Sequence, residues 1–340
     1  ASPNPVLGWV GSLNEIDPLS GYWIKVSEAD ILSVEDGVPT DASTALYSLR
    51  YGANLISFPY SGSVGIADAL PDEVEDSFIG IIGEGVAASP NPVLGWVGSL
   101  NEFEGGKGYW AKVNESVSFS FDTENASARI QDRMENDLKP YSQSTEQAFY
   151  FIGDIDVSGH GVLNSESILR LYNDNVLVGE RGWNGPYTDI PAMGSDGSLE
   201  TVGYCDHGDN LRLIITLDNG KDYVLDGNIP AWSNNGIYTI DNLEISGDQS
   251  TIPSEVVIIG AFPNPFNPST VISYEIHESS NLSVSVYNTN GQLVSNLHNG
   301  YQDAGRHELI FDGSNLSSGM YFVKIANQKS IQTHKILLMK

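Results

Sequence analysis

Residues 1–15, ASPNPVLGWVGSLNE, recur without a change at 88–102, and this repeat constrains the fold more than any other feature of the 340-residue chain. The alignment continues at an offset of 87. Gly21-Tyr22-Trp23 matches Gly108-Tyr109-Trp110 and Lys25-Val26 matches Lys112-Val113, so 20 of 26 positions are identical. Such self-similarity means supersecondary units that cover one another's apolar faces. The second copy is preceded by Leu49 to Ala87, for which the first has no counterpart. A complete unit therefore spans 46–122, and residues 1–33 read as the C-terminal half of another. A half-unit cannot by itself cover Val6, Leu7, Trp9, Val10, Tyr22, Trp23 and Val26. The missing half lies upstream in a longer precursor, which is the favoured reading, or the half-unit docks on its neighbour, or it completes another molecule by strand addition.

Within the complete unit the apolar period is two. Asn54-Leu55-Ile56-Ser57-Phe58 reads as a strand stopped by Pro59, Gly108–Val113 as a second, and Val117-Ser118-Phe119-Ser120-Phe121 as a third. Ile66 to Leu70, closed by Pro71, has room for one helical turn. The Trp and Tyr residues read as core, with ligand stacking as the alternative. The segment resembles a small β-rich module, with GxNLISFP and GKGYW signatures, found in large secreted bacterial proteins.

Residues 123–146 are acidic, poor in large apolar residues and without alternation, as a linker would be, with one helical turn over Ile130 to Leu138. From 147 to 246 apolar runs return: Ala148–Ile152, Asn175–Gly179, Leu211–Leu217, Tyr223–Leu225 and Ile237–Ile240. Asn219-Gly220, Asp226-Gly227 and Asn235-Gly236 punctuate them at the spacing of a β-sandwich. A hinge, Ser246 to Pro253, follows.

Charge separates the last segment from the rest. The chain holds 44 acidic and 16 basic side chains, a net charge of −28. Residues 256–340 contribute five acids (Glu275, Glu278, Asp303, Glu308, Asp312) and five bases (Arg306, Lys324, Lys329, Lys335, Lys340). The whole excess therefore lies before 256. So acidic a body repels phosphate backbones and anionic lipid, which argues against nucleic-acid partners. Nor is membrane insertion expected, since no run of 18 apolar residues occurs. The N-terminal Ala1-Ser2-Pro3-Asn4-Pro5 lacks a signal peptide's basic start and apolar core, so a signal has been removed or the chain is the end of a longer one. Cys205 stands alone, so no intrachain disulfide forms.

The neutral segment carries ordered motifs: Phe262-Pro-Asn-Pro-Phe-Asn-Pro-Ser-Thr270, strands Val271–Ile276 and Leu282–Tyr287, Asn290-Gly291-Gln-Leu-Val294, Ala304-Gly305-Arg306-His307, Leu316-Ser-Ser-Gly319 through Ile325, and Lys335-Ile-Leu-Leu-Met-Lys340. Pro263, Pro265 and Pro268 lack a backbone donor and force an extended lead-in that cannot be a central strand. Asn290-Gly291 suits the positive-φ positions of a tight hairpin turn, and Gly305 and Gly319 sit where strands start after turns. The segment closely resembles the type A C-terminal sorting domain of the type IX secretion system, found across Bacteroidetes and related phyla. The resemblance implies a seven-strand immunoglobulin-like sandwich that the export machinery reads and that is usually removed at the cell surface. Carried onto this chain, the signal residues are Pro263, Asn264, Pro265, Gly291, Gly305, Gly319, Lys335 and Lys340. The stretch Val178–Gly185 with Asp189–Gly197 resembles a sandwich domain common in proteins exported by the same route.

No catalytic constellation stands out among His160, His207, His277, His298, His307 and His334, and no HExxH, GxSxG or P-loop spacing occurs. Cys205 and His207 lie two apart, on one face if they occupy a strand, but a loop beside Asp206 and Asp209 is the plainer reading. No catalytic or metal residue and no cofactor is expected. The one metal candidate is a structural calcium on Asp154-Ile-Asp156-Val-Ser-Gly159, or on Asp206 with Asp209, against a simple solvated acidic turn. Trp183 and Trp232 sit in loop-like contexts where a ring could stack on a sugar, although loop anchoring is the stronger reading. The sequence thus describes an all-β modular protein, non-catalytic and structural or adhesive, sent across the outer membrane to the cell surface or beyond. Its partners are the type IX machinery and either other copies of itself in a filament or a surface glycan. A second possibility is the non-catalytic end of a larger secreted hydrolase.

Overall fold

The computed structural model describes residues 1–4, 8–24, 40–41, 44–124, 139–198, 201–246, 256–276, 279–327 and 331–340. The expected helical turn at Ile130 to Leu138 and most of the expected hinge lie outside these residues. The fold is all-β, and among the described residues no helix is long and apolar enough to cross a membrane. The chain forms two compact units, Ala1–Glu135 and Asn136–Lys340.

The first unit begins with the hairpin β1 (Ser2–Asn4) and β2 (Gly8–Val10). Then come β3 (Tyr47–Leu49), β4 (Gly52–Ser57), β5 (Ser63–Gly65), two single-turn helices, α1 (Ile66–Ala69) and α2 (Asp72–Glu75), and β6 (Phe78–Ile82). The unit ends with β7 (Ala87–Asn91), β8 (Gly95–Gly98), β9 (Glu102–Glu104), β10 (Gly108–Val113) and β11 (Val117–Phe119). Its main sheet has the order β4-β10-β6-β7-β8. The core is aromatic: Phe103 lies 5.0 Å from both Tyr109 and Phe121, and Phe121 lies 5.0 Å from Phe58 and 5.2 Å from Tyr47. These edge-on pairs are the arrangement ring quadrupoles favour. Tyr109 is buried, as the core reading requires.

The two repeat copies fold alike at the level of single hydrogen bonds. Ser2 pairs with Val10 and Asn4 with Gly8, while Ser89 pairs with Val97 and Asn91 with Gly95, the same register 87 residues on. The Asp17 N–H donates to the Tyr22 hydroxyl at 2.7 Å, and the Glu104 N–H donates to the Tyr109 hydroxyl at 2.8 Å. What differs is the surroundings. In the second copy β10 is an internal strand between β4 and β6. In the first copy Leu19 to Gly21 instead adds to the other edge of β4: the Ser57 N–H donates to the Leu19 carbonyl at 3.1 Å, and the Gly21 N–H to the Leu55 carbonyl at 3.2 Å. The half-unit thus docks on its neighbour by strand addition.

The second unit opens with β12 (Gln147–Asp156), β13 (Ile168–Asn173), β14 (Val176–Gly182), β15 (Thr188–Met193), β16 (Leu211–Thr216), β17 (Asp222–Asp226) and β18 (Ile237–Ile245). They form one seven-stranded sheet ordered β14-β13-β16-β17-β18-β12-β15. Its two end strands meet: the Arg181 Nε on β14 donates to the Asp189 carbonyl on β15 at 2.9 Å. At Gly179 a Cβ would lie 1.6 Å from the Pro191 carbonyl oxygen, so the close approach requires glycine. The sheet is rolled upon itself around Tyr150, Leu169, Leu171, Leu213, Ile215 and Trp232. Strands β13 and β15 were not anticipated from sequence. β15 contains Pro191, which an end strand tolerates because one row of its backbone groups pairs with no strand.

The chain ends with β19 (Val256–Phe262), β20 (Ser269–Ile276), β21 (Ser280–Asn288), β22 (Leu293–Gln302), β23 (Gly305–Asp312), β24 (Gly319–Asn327) and β25 (Ile331–Leu338). A three-stranded sheet, β19-β20-β23, packs on a four-stranded one, β22-β21-β24-β25. Ile272, Tyr274, Val284, Val286, Val323 and Ile336 form the core between them. Each comes from the inward phase of an alternating strand, which is why period-two patterning located β20, β21 and β24.

Candidate functional site

The proline-rich loop 263–268 and the C-terminal strand, 70 residues apart in sequence, lie side by side. With three prolines in six positions, few backbone donors remain, and one of them, that of Phe266, is used on β25. The Phe266 N–H donates to the Leu337 carbonyl at 2.9 Å, and the Met339 N–H donates to the Phe266 carbonyl at 2.9 Å. The Asn264 carboxamide doubles the clamp. Its Nδ2 donates to the Lys335 carbonyl at 3.1 Å, and its Oδ1 accepts the Leu337 N–H at 2.8 Å. One side chain thereby stands in for a strand residue along the outer edge of β25, closing a row that would otherwise template aggregation.

Phe266 anchors the loop. Its ring is 1% exposed and lies 5.7 Å from the Phe311 ring. The Thr270 hydroxyl donates to the Pro263 carbonyl at 2.8 Å, and the Gly313 N–H to the Pro268 carbonyl at 2.8 Å. At Gly313 a Cβ would fall 3.0 Å from Leu338 and 3.1 Å from Phe266, so the loop, the β23–β24 turn and the C-terminal strand converge there. The terminal residue is held too: the Lys340 N–H donates to Ser318 Oγ at 2.9 Å and its ammonium to the Ser314 carbonyl at 2.5 Å. Bonds from Ser314, and secondly the charge of Lys340, hold the Asp312 carboxyl below its ordinary range.

Of the sequence-derived signal residues, Pro263, Asn264, Pro265, Gly319, Lys335 and Lys340 thus gather at one end of the sandwich, with Gly319 in register with Leu338. Gly291 lies in the β21–β22 turn at the same end. Of the Asn290-Gly291 pair only Gly291 is left-handed, at φ +75°. The Gly291 N–H donates to the Asn288 carbonyl and the Asn288 N–H to the Gln292 carbonyl, each at 3.0 Å. This is a three-residue loop with a single positive-φ position, where the sequence reading expected two. Gly305 is apart from the others, opposite Ile276 at the far end of β20.

That far end carries residues whose role the sequence did not reveal. On β20 the outward phase runs Val271, Ser273, Glu275, yet Ser273 and Glu275 are 5% and 3% exposed. The rolled sheet covers them. The Glu275 carboxylate accepts the Leu177 N–H of β14 and faces Arg306, its register partner on β23. The Arg306 guanidinium lies 5.9 Å from the Tyr204 ring centre. At Gly203 a Cβ would come within 3.3 Å of Ile259. Burial pushes the Glu275 carboxyl up to about 8, against the opposing pull of Arg306 and of the Leu177 N–H. The sorting segment is therefore docked on the preceding sheet. Alternation alone assigns Glu275 to solvent, so no local signal could have found this contact.

The remaining candidate residues are divided between the core and turns. Cys205 is 1% exposed, its thiol pushed upward by burial, whereas His207 is exposed. Trp183 and Trp232 both enter the core, and the Trp232 Nε1 donates to the Ala192 carbonyl at 3.0 Å. The Asp156 carboxylate accepts the Ser158 N–H within its own turn, and Asp209 accepts the Asp206 N–H and the Asn173 amide. Among the described residues, no three His, Cys, Asp or Glu side chains cluster as metal ligands.

Residues 260–339 match the family described as the secretion system C-terminal sorting domain. The chain carries a type A sorting domain of a type IX secretion substrate, and its destination is the cell surface or the extracellular space, through the outer membrane. No curated protein matches the chain. A solved structure, that of PorZ, an essential bacterial surface component of the type-IX secretion system of Porphyromonas gingivalis, is 15% identical to it, with a TM-score of 0.19. The likeness covers 44% of this chain, which spans only 18% of that one.

Proposed function

We propose that the protein is a non-catalytic, modular structural or adhesive component of the cell surface, with the last domain serving as its export label. The observation that carries the reading is the mutual clamp of Asn264 and Phe266 with β25. It makes the two extremes of the label a single folded object, so the machinery reads a shape rather than a loose peptide. The acidic repeat-bearing body is the passenger. Tyr47, Phe103, Tyr150 and Trp232 pack in its cores, and Asp156 and Asp209 accept bonds within turns, which fits a spacer or binding unit better than a reaction centre.

The test is export and adhesion in a host equipped with the type IX system. The full chain is expected outside the cell, and a chain lacking residues 331–340 is expected to stay inside because the clamp has lost its partner. Cells without the protein should adhere less to a surface, and adding back the full chain should restore them. Wild-type export of the truncated chain, or adhesion unaffected by loss of the protein, would refute the corresponding half of the proposal.

A second reading is self-assembly. It is favoured by the addition of Leu19 to Gly21 to the β4 edge, since an edge that accepts a strand from its own chain accepts the same strand from another copy. Light scattering over a range of concentrations distinguishes the two: a constant monomer mass excludes assembly.

A further inference from the structure

We propose that the row Phe262–Val271–Ile310, on the outer face of the three-stranded sheet, is the surface through which the export machinery grips the sorting domain, by an apolar protein face with a basic rim. The proposal rests on the sorting-domain reading above and names the part of that domain a reader touches. Phe262 pairs in register with Val271, and Val271 with Ile310, so the three side chains stand side by side across β19, β20 and β23. Phe262 is 59% exposed and Ile310 73% exposed, with Val271 half-buried between them. Two large apolar side chains this open, in one row, on a sheet whose inner face already supplies the core, are not explained by folding.

Three observations select the occupant. First, Phe266 is buried in the core, so loop 263–268 offers Asn264 and its prolines at the surface but no large apolar side chain to grip. Second, the row continues a surface that already packs against protein. The next two rows on the same face, Ser273–Glu308 and Glu275–Arg306, run into the part covered by residues 202–204 and β14. Third, along the outward phase of β23 Ile310 is flanked by Glu308 and Asp312, both exposed. Asp312 is already offset by Lys340, so it is the Glu308 carboxylate beside the apolar strip that repels anionic lipid and complements a partner with Lys or Arg around an apolar centre.

The experiment compares the full chain with Phe262→Ser/Ile310→Ser, Ile310→Leu, Glu308→Lys and a chain lacking 331–340, in a host carrying the type IX system. Thermal midpoints of the purified proteins and secreted fractions are both measured. Because the two positions are exposed, the double variant is expected to melt within about 2 °C of wild type, while its secreted fraction falls about tenfold or more. Ile310→Leu should be exported normally, and Glu308→Lys should lie between. If the double variant melts early, the single Ile310→Thr variant replaces it in the comparison. Normal export of a folded serine variant, with the truncated chain retained, overturns the proposal and leaves the sorting-domain reading standing. Export of the truncated chain overturns both. A change in oligomeric mass without a change in export makes the occupant a second copy of this chain, which also refutes the proposal.

Discussion

Glu275 offers a quantitative test of how the sorting domain is held. Its carboxyl is 3% exposed, accepts the Leu177 N–H and sits beside Arg306, and its proton affinity is raised from the ordinary 4.5 to about 8. Between those two pH values an unfolded chain has released this proton and the folded one keeps it. The unfolded state then binds fewer protons, so stability must fall as pH rises. The contribution is complete below pH 4.5 and is lost on passing through about pH 8. At about 1.4 kcal/mol per pH unit, the loss across the interval amounts to about 5 kcal/mol. For a unit of about two hundred residues this lowers the melting temperature by roughly 10–20 °C. Glu275→Gln keeps an acceptor for Leu177 but cannot titrate. Calorimetry of the wild-type and Glu275→Gln chains from pH 5 to 9 should show the wild type losing ground to the variant steadily as pH rises, most of it before pH 8. A difference between the two that is independent of pH would mean that Glu275 is not buried against the preceding sheet, and the docked arrangement would fall with it.

Three further outcomes follow from particular contacts. Asn264→Ala removes both side-chain bonds to β25 and should cost about 1–3 kcal/mol, seen as a lower thermal midpoint and faster amide exchange at Leu337. Gly179→Ala places a Cβ 1.6 Å from the Pro191 carbonyl oxygen, and forcing β14 and β15 apart should cost more than about 3 kcal/mol in denaturant titration. Gly21→Val sets branched carbons where a Cβ already lies 2.8 Å from the Ile56 carbonyl oxygen and 2.9 Å from the Leu55 side chain. Limited proteolysis should then cut within residues 12–24 while 46–122 stays intact.

Much of this fold was legible along the chain. Period-two runs located β10, β20, β21 and β24, and the literal repeat implied two copies of one unit, whose hairpins the structure shows to match in register. The proline-rich motif announced a segment that could not pair as a central strand. Reading failed where neighbours in space overrule neighbours in sequence. β15 carries a proline, which argues against a strand until it is seen to end its sheet. Trp183 and Trp232 lie among Gly, Asn and Pro, as loop residues do, yet the rolled sheet encloses them. Asn264 was recognised as a motif residue, but no local pattern shows that its amide completes a strand seventy residues away.

Local patterning is enough to make strands because the alternation of side chains is a property of each strand alone. For the same reason the repeat, the charge boundary near residue 256 and the ordered motifs of the last domain could be read without coordinates. Which strand lies against which, and which outward-facing side chain is covered, depends on contacts between residues far apart, each made only after the others are in place. Such contacts bury Glu275 but leave Ile310 open, although both belong to the outward phase of their strands. Solvation, and with it the titration and availability of a side chain, is set by whatever packs on top.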